Sequence, residues 1–362
     1  MHLLEVVLAA GAGAGIAGLT VLSAVQTLAV PRGTPVLITR WIFVGTRVLF
    51  VPAHRGADAR TRDRRLALYG PLSLLCLPVV WLGLVLGAFT LIFWATGAGW
   101  DSAFLESGSS LFTLGFRTPE HVGSAALAFT EAALGLGLIA LLISYLPSIY
   151  GTYSRRELLV PSLDSAAGSP PSGAGLLERR ADIHGLAELG GFWRAWARWF
   201  AELEETHSSN PSLVYFRSPQ PDRSWVTAAG AVLDAAALAA STLAVPRQPS
   251  AALCIRAGYL ALRRVGDFFL MPYDPDPKPT DPIAVTRAEF DAVCDRLEKV
   301  GAPVHADRDQ AWADFAGWRV TYEAVLLRFA ALCWAPQAPW TGDRAIPFFR
   351  APISRRRARA RL

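Results

Sequence analysis

The chain has 362 residues, of which 52% are hydrophobic and only 18% charged, against roughly 25% charged in an average soluble domain. A mean hydropathy of +0.30 excludes a disordered chain and argues against an ordinary cytosolic enzyme. Charge is also unevenly placed, with 16 Asp, Glu, Lys and Arg residues in positions 1–150 and 49 in the rest, so an apolar half precedes a polar one.

A helix needs roughly 20 predominantly apolar residues to cross the hydrocarbon core. Val6 to Pro31 carries no formal charge and predicts the first span. No basic segment precedes it and it outruns a signal peptide's apolar core, so it reads as a permanent helix. Its GAGAGIAG run, Gly11 to Gly18, lacks the strand that a phosphate-binding loop requires; Gly11 and Gly15, four apart, predict close helix packing instead. From Thr34 to Val51, Arg40 and Arg47 share one helical face while Trp41, Ile42, Gly45 and Leu49 turn away from it. That pattern suits a helix lying in the membrane interface, since each Arg at the centre of a span would cost about 2.5 to 3.5 kcal/mol. Leu66 to Trp100 and Ala132 to Ser154 supply the second and third spans, with Glu131 at the outer edge of the third.

Basic residues collect on cytoplasmic flanks. Arg32, Arg40, Arg47, Arg55, Arg60, Arg62, Arg64 and Arg65 lie between the first two spans, and Arg155 and Arg156 follow the third. Between the second and third, Arg117 faces Asp101, Glu106 and Glu120. The C-terminal half is therefore expected in the cytoplasm, with the chain a multi-pass protein of the cell membrane.

The outward segment, WDSAFLESGSSLFTLGFRTPEHVGS, is too long for a hairpin and too apolar for a solvated loop. Asp101 or Ser102 can cap a short helix through Phe112, after which Thr113, Leu114, Gly115 and Phe116 leave the helix. At membrane depth such backbone is tolerated only where protein covers it or water lines it. Gly135 and Gly137 near the middle of the third span, and Pro147 near its inner end, suit a hinge and a kink; close packing through the glycines is the alternative.

With those residues in place, positions 66–150 resemble the two-helix pore module of the potassium channel family. The match is Ser110-Leu-Phe-Thr113-Leu-Gly115-Phe116 against the family's S-x-x-T-V-G-Y/F-G-D; Arg117 stands where the family has its second filter glycine, and Thr118-Pro119 where its Asp follows. The resemblance implies a selectivity filter of backbone carbonyls at Thr113, Leu114, Gly115 and Phe116, with the Thr113 hydroxyl at the innermost site. It implies a homotetramer around a central axis and a permeant monovalent cation, potassium, with no other cofactor. Arg117, Glu120 and Glu131 fall at the pore mouth, where Glu131 can pair with Arg117 or remain a solvated carboxylate; Gly135, Gly137 and Pro147 fall at a gating hinge.

Pro161 to Gly175, PSLDSAAGSPPSGAG, reads as a connector. Helical patterns follow at Leu176 to Glu205, where Phe192, Trp193, Trp196, Trp199 and Leu203 form a core face, then at Trp225 to Val245 and Ala251 to Leu270. Trp225 to Val245 is apolar enough to resemble a further span, but Asp234 at its centre favours a buried soluble helix. Thr286 and Glu289 make a capping box for a helix through Val300, and a last helix runs from about Asp307 to Cys333. Cys76, Cys254, Cys294 and Cys333 have no metal-ligand spacing and read as free thiols. His184, His207 and His305 are far apart, and no nucleophile, base and orienter can be assembled. Asp274 to Pro282 lacks the glycine of a calcium loop. The tail SRRRARARL suits anionic lipid headgroups or a disordered solubilising end, and nothing points to nucleic acid.

The expected fold is an all-α membrane protein, an N-terminal helix plus a span, pore helix, filter and span, then a mostly helical cytoplasmic domain. The expected boundaries are 1–65 for the N-terminal helix and basic interfacial segment, 66–154 for the pore module, 155–175 for the linker, 176–350 for the cytoplasmic domain and 351–362 for the tail. The function expected is a cation channel subunit, not an enzyme. A non-conducting membrane receptor or scaffold with a degenerate pore fold is the alternative.

Overall fold

Uncharged apolar runs fold as long single helices, because only a helix satisfies every backbone polar group within its own segment. The computed structural model describes residues 3–28, 37–55, 59–119, 121–344 and 346, and among them the regular structure is helical, with one isolated antiparallel bridge between Leu243 and Val304. The chain divides into two units, residues 1–56 with 68–151, and residues 57–67 with 152–362.

In the first unit, α1 (Leu3–Leu28) packs on α4 (Tyr69–Ala95). Gly13, Ala17, Thr20, Ser23 and Ala24 form the buried face of α1. Small residues there let the backbones approach: a Cβ on Gly13 would sit 2.5 Å from the Ala88 carbonyl oxygen, whereas Gly11 and Gly15 face open space. The packing glycine is thus Gly13, lying between the pair singled out in the sequence. Trp81 Nε1 donates to Ser23 Oγ at 3.3 Å, a bond that an apolar environment makes worth keeping.

Helix α2 (Leu37–Arg55) is held by Thr39 to Thr27 at 2.8 Å, by Thr46 to Ser73 at 2.6 Å, and by Tyr69, which donates to the Phe43 carbonyl at 2.8 Å. Its free side is one apolar stripe of Trp41, Val44, Gly45, Val48 and Leu49. α5 (Trp100–Leu111) is short, and α6 (Val122–Glu157), the longest helix among the described residues, is continuous through Gly135, Gly137 and Pro147. The expected side-chain cap of α5 is not made. Gly99 occupies the N-cap, with no side-chain hydrogen bond.

The second unit contains α3 (Ala59–Ala67), the end of α6, and α7 (Ser162–Ala167) through α14 (Glu323–Leu332). Its centre is α10 (Trp225–Thr242), against which α8 (Gly173–Asp182), α11 (Pro249–Phe268), α13 (Arg308–Arg319) and α14 pack. Among the described residues, four helical segments are long and apolar enough to cross a membrane, in α1, in α4 with the helix before it, in α6 and in α10. The shares of each apolar window buried within the protein separate them, at 22%, 39% and 17% for the first three and 89% for α10. α10 is apolar because protein surrounds it, in keeping with the charge at Asp234.

Three sequence expectations are corrected here. The Ser/Gly/Pro-rich stretch 161–175 is no free connector: α7 and the start of α8 occupy it, and Leu163, Ala167 and Ala174 are buried in the core. The run Leu176 to Glu205 breaks into α8 and α9 (Gly190–Ser209), and the last helix breaks into α13 and α14. The capping box of α12 (Arg287–Lys299) forms as its sequence requires, and the buried Trp193, Trp196 and Trp199 of α9 are core.

Candidate functional site

The loop after α5 is shaped first by how that helix ends. The last carbonyls of a helix need donors, and a left-handed residue just past the C-cap brings two amides back to them. Here Thr113 N–H bonds the Ser110 carbonyl at 3.1 Å and Leu114 N–H the Ser109 carbonyl at 2.8 Å, with Thr113 at φ +55°. This is a Schellman closure, with a β-branched residue where glycine is usual. The Thr113 hydroxyl donates to the Phe112 carbonyl at 2.8 Å, and Arg117 N–H to Ser109 Oγ at 3.2 Å. Gly115 has φ +71°, so handedness alternates along Thr113, Leu114 and Gly115. Leu114 and Phe116 are 62% and 56% exposed in the single chain.

Behind the loop, α5 is seated on α4 and α6. Ser107 is fully buried; its Oγ lies 2.5 Å from Glu131 Oε1 and 3.0 Å from the Leu86 carbonyl oxygen. Glu131 is fully buried, and its Oε2 has no hydrogen-bond partner among the described residues. Neither alternative left open by the sequence is met: Glu131 is buried rather than solvated, and Arg117 is exposed and forms no ion pair among the described residues. Gly135 underlies the end of α5, where a Cβ would come 2.4 Å from the Leu111 carbonyl oxygen. Gly137 and Pro147 are exposed. Glu120 and the Arg-rich tail, residues 351–362, lie outside the described residues.

The outer face of α6 carries Ala126, Ala133, Gly137, Ala140, Ser144, Ser148 and Gly151 at helical spacing, all exposed. Phe129, Leu136 and Ile143 run beside them, also exposed.

The second unit holds two buried arginines that no spacing in the sequence announces. Arg319, on α13, bonds Asp234, reaches Glu323 at 2.5 Å and donates to the Trp340 carbonyl at 2.6 Å; Tyr322 Oη donates to Asp234 at 2.7 Å. Arg156, near the end of α6, donates to the Leu213 carbonyl at 3.0 Å, to the Phe216 carbonyl at 2.7 Å and to Glu157, and lies 3.3 Å from His207 Nε2. An arginine has no lone pair to accept with, so Nε2 accepts and Nδ1 carries the His207 proton. Burial, then the Arg156 charge, hold His207 well below the usual imidazole range. Arg217 reaches Asp63 of α3 at 2.6 Å and the carbonyls of Cys333 and Trp334.

His184 and His305 are exposed, so the three histidines do not meet. Among the described residues no group of three His, Cys, Asp or Glu side chains could hold a metal. Burial pushes the Cys254 thiol up to about 12 and Cys294 up to about 11, far from thiolate chemistry. Comparison with family models, curated proteins and solved structures gave no match.

Proposed function

We propose that the chain is one subunit of a potassium-channel-like cation channel of the cell membrane, with four copies enclosing a pore at Thr113, Leu114, Gly115 and Phe116. The observation that carries this is the uncovered, non-helical backbone of those residues, set after a short helix between two helices of membrane length. In hydrocarbon that backbone must be covered by protein or lined by water, and one chain leaves it exposed, so further copies supply the cover and the water path.

Two features support the reading. The C-terminal end of α5, which carries about half a negative charge from its aligned peptide dipoles, leads directly into the loop and favours a cation there. The small and hydroxylated face of α6 offers a lining with room for water, Gly137 and Pro147 being its places to bend. On this reading α1, α4 and α6 span the membrane, the Arg-rich stretch from 32 to 65 and the second unit are cytoplasmic, and α2 lays its apolar stripe on the inner leaflet. The tail would add contacts to anionic headgroups.

The second reading, a non-conducting receptor or scaffold with a degenerate pore fold, is favoured by one residue. Arg117 sets an exposed positive charge just past the loop, at the place where a cation would enter.

The test is ion flux in liposomes containing wild type or Gly115→Ala. At φ +71° an alanine is strained although its Cβ meets no atom within 4 Å in the single chain, so the substitution changes backbone conformation rather than packing. Lost flux from an intact tetramer is expected. Equal flux from both proteins would remove the loop as the filter.

A further inference from the structure

Glu131 sits where a membrane protein has most reason to avoid a carboxyl group. It lies ten residues into α6, and its side chain is turned inward against α5, fully buried. One oxygen meets a neutral hydroxyl, Ser107 Oγ at 2.5 Å. The other has no partner among the described residues, and no cation pairs with the group there. α4, the other helix at this point, carries no charged residue, and the nearest titratable neighbour on α5 is Glu106, another acid. An isolated ionised carboxylate is costly to bury without a paired charge, whereas a carboxyl group that acts by hydrogen bonding needs only the partner it has.

The geometry around it shows what that bond holds. Ser107 lies on the buried face of α5, six residues before the Thr113 closure, and its Oγ also lies 3.0 Å from the Leu86 carbonyl of α4. One turn along α6, Gly135 is in contact distance of the Leu111 carbonyl, at the end of the same short helix. α5 is therefore fixed at two levels on one face of α6, by a polar bond at Glu131 and by backbone packing at Gly135.

We propose that Glu131 is a positioning residue that fastens α5 to α6 through hydrogen bonding and not through charge, and so sets the place of the Thr113–Phe116 backbone. The effect on ion flow rests on the channel reading. The fastening does not.

The experiment uses the full chain in liposomes, as Glu131→Gln, Glu131→Ala and Ser107→Ala, each with an Ala103→Cys reporter on the buried face of α5. Maleimide labelling at position 103 is resolved by peptide mass spectrometry, alongside tetramer mass and potassium flux. Glutamine keeps the length and hydrogen-bonding capacity of the side chain without its charge, so Glu131→Gln is expected to label, assemble and conduct as wild type. The two alanine variants are expected to label roughly tenfold faster, the factor that one lost buried hydrogen bond is worth, and to lose flux. If Glu131→Ala fails to fold, Ser107→Ala removes the same bond from the other side and decides the matter. Glu131→Gln as defective as the alanine variants would show that the charge is needed and overturn the proposal, as would wild-type labelling in both alanine variants. A wild type that carries no flux would remove the channel reading, while the labelling rates would still decide the fastening.

Discussion

Gly135 and Gly137 are two residues apart on α6, and sequence alone offers both as hinges. The structure separates them. A Cβ at Gly135 would lie 2.4 Å from the Leu111 carbonyl oxygen and 3.0 Å from its Cδ1. A relaxed carbon–oxygen contact is about 3.3 Å or more, so α5 and α6 would have to part by about 1 Å at this level. A gap of that size forfeits between roughly a quarter and a half of each affected van der Waals contact, and overpacking costs about 1 to 3 kcal/mol in general. About 2 kcal/mol, or a factor of roughly 30 in the folded-to-unfolded ratio, is expected for Gly135→Ala. A methyl group at Gly137 would meet no atom within 4 Å, and alanine is the better helix former by about 1 kcal/mol. Gly137→Ala is therefore expected to leave stability unchanged or raised. Thermal unfolding in mild detergent, with the state of assembly followed by mass, measures both. Equal damage from the two substitutions, or none from Gly135→Ala, would refute the packing account.

Thr113→Gly should relieve a left-handed β-branched residue and raise the unfolding midpoint by the equivalent of about 1 kcal/mol, and a lowered midpoint would contradict that strain. His207 is held neutral below its usual range, so the native state binds fewer protons than the unfolded chain once pH falls below about 6.5. Its contribution is fully present above that value and is lost on acidification at about 1.4 kcal/mol per pH unit, until the native imidazole itself titrates. Denaturant unfolding between pH 8 and 5 should show this slope in wild type and lose it in His207→Gln; identical slopes would contradict the assignment. Arg319→Met leaves Asp234 and Glu323 buried without their cation, and a loss of about 3 to 5 kcal/mol is expected in the same unfolding assay; a loss below about 1 kcal/mol would show that the two acids find other partners.

The sequence is legible where one residue type decides a local outcome. Uncharged runs mark α1, α4 and α6, Thr286 with Glu289 marks the cap of α12, and the tryptophan spacing marks the buried face of α9. What stays hidden depends on residues far apart in the chain. Arg319 meets Asp234 across 85 positions and Arg217 meets Asp63 across 154, and no periodicity connects such pairs. The partner of Glu131 is hidden for a related reason: Ser107 is one of several serines on α5, and only the rotation of that helix selects it over Arg117. The stretch 161–175 misleads through composition, since small residues that usually mark a solvated connector here allow close approach. A Cβ on Gly173 would fall 2.6 Å from the Ala235 amide of α10. Four residues suffice to locate the loop Thr113–Phe116, but not the Schellman closure that shapes its start, because threonine is a rare choice for that position.

On the proposed function, the residues Thr113 to Phe116 form a cation-selective path. Purified protein in planar bilayers, under opposed potassium and sodium gradients, tests it through the reversal potential of the current. A reversal near the potassium equilibrium potential, shifted or abolished in Gly115→Ala, is the predicted result. A reversal potential that ignores both cations, or a bilayer that stays silent with intact tetramers inserted, would contradict it.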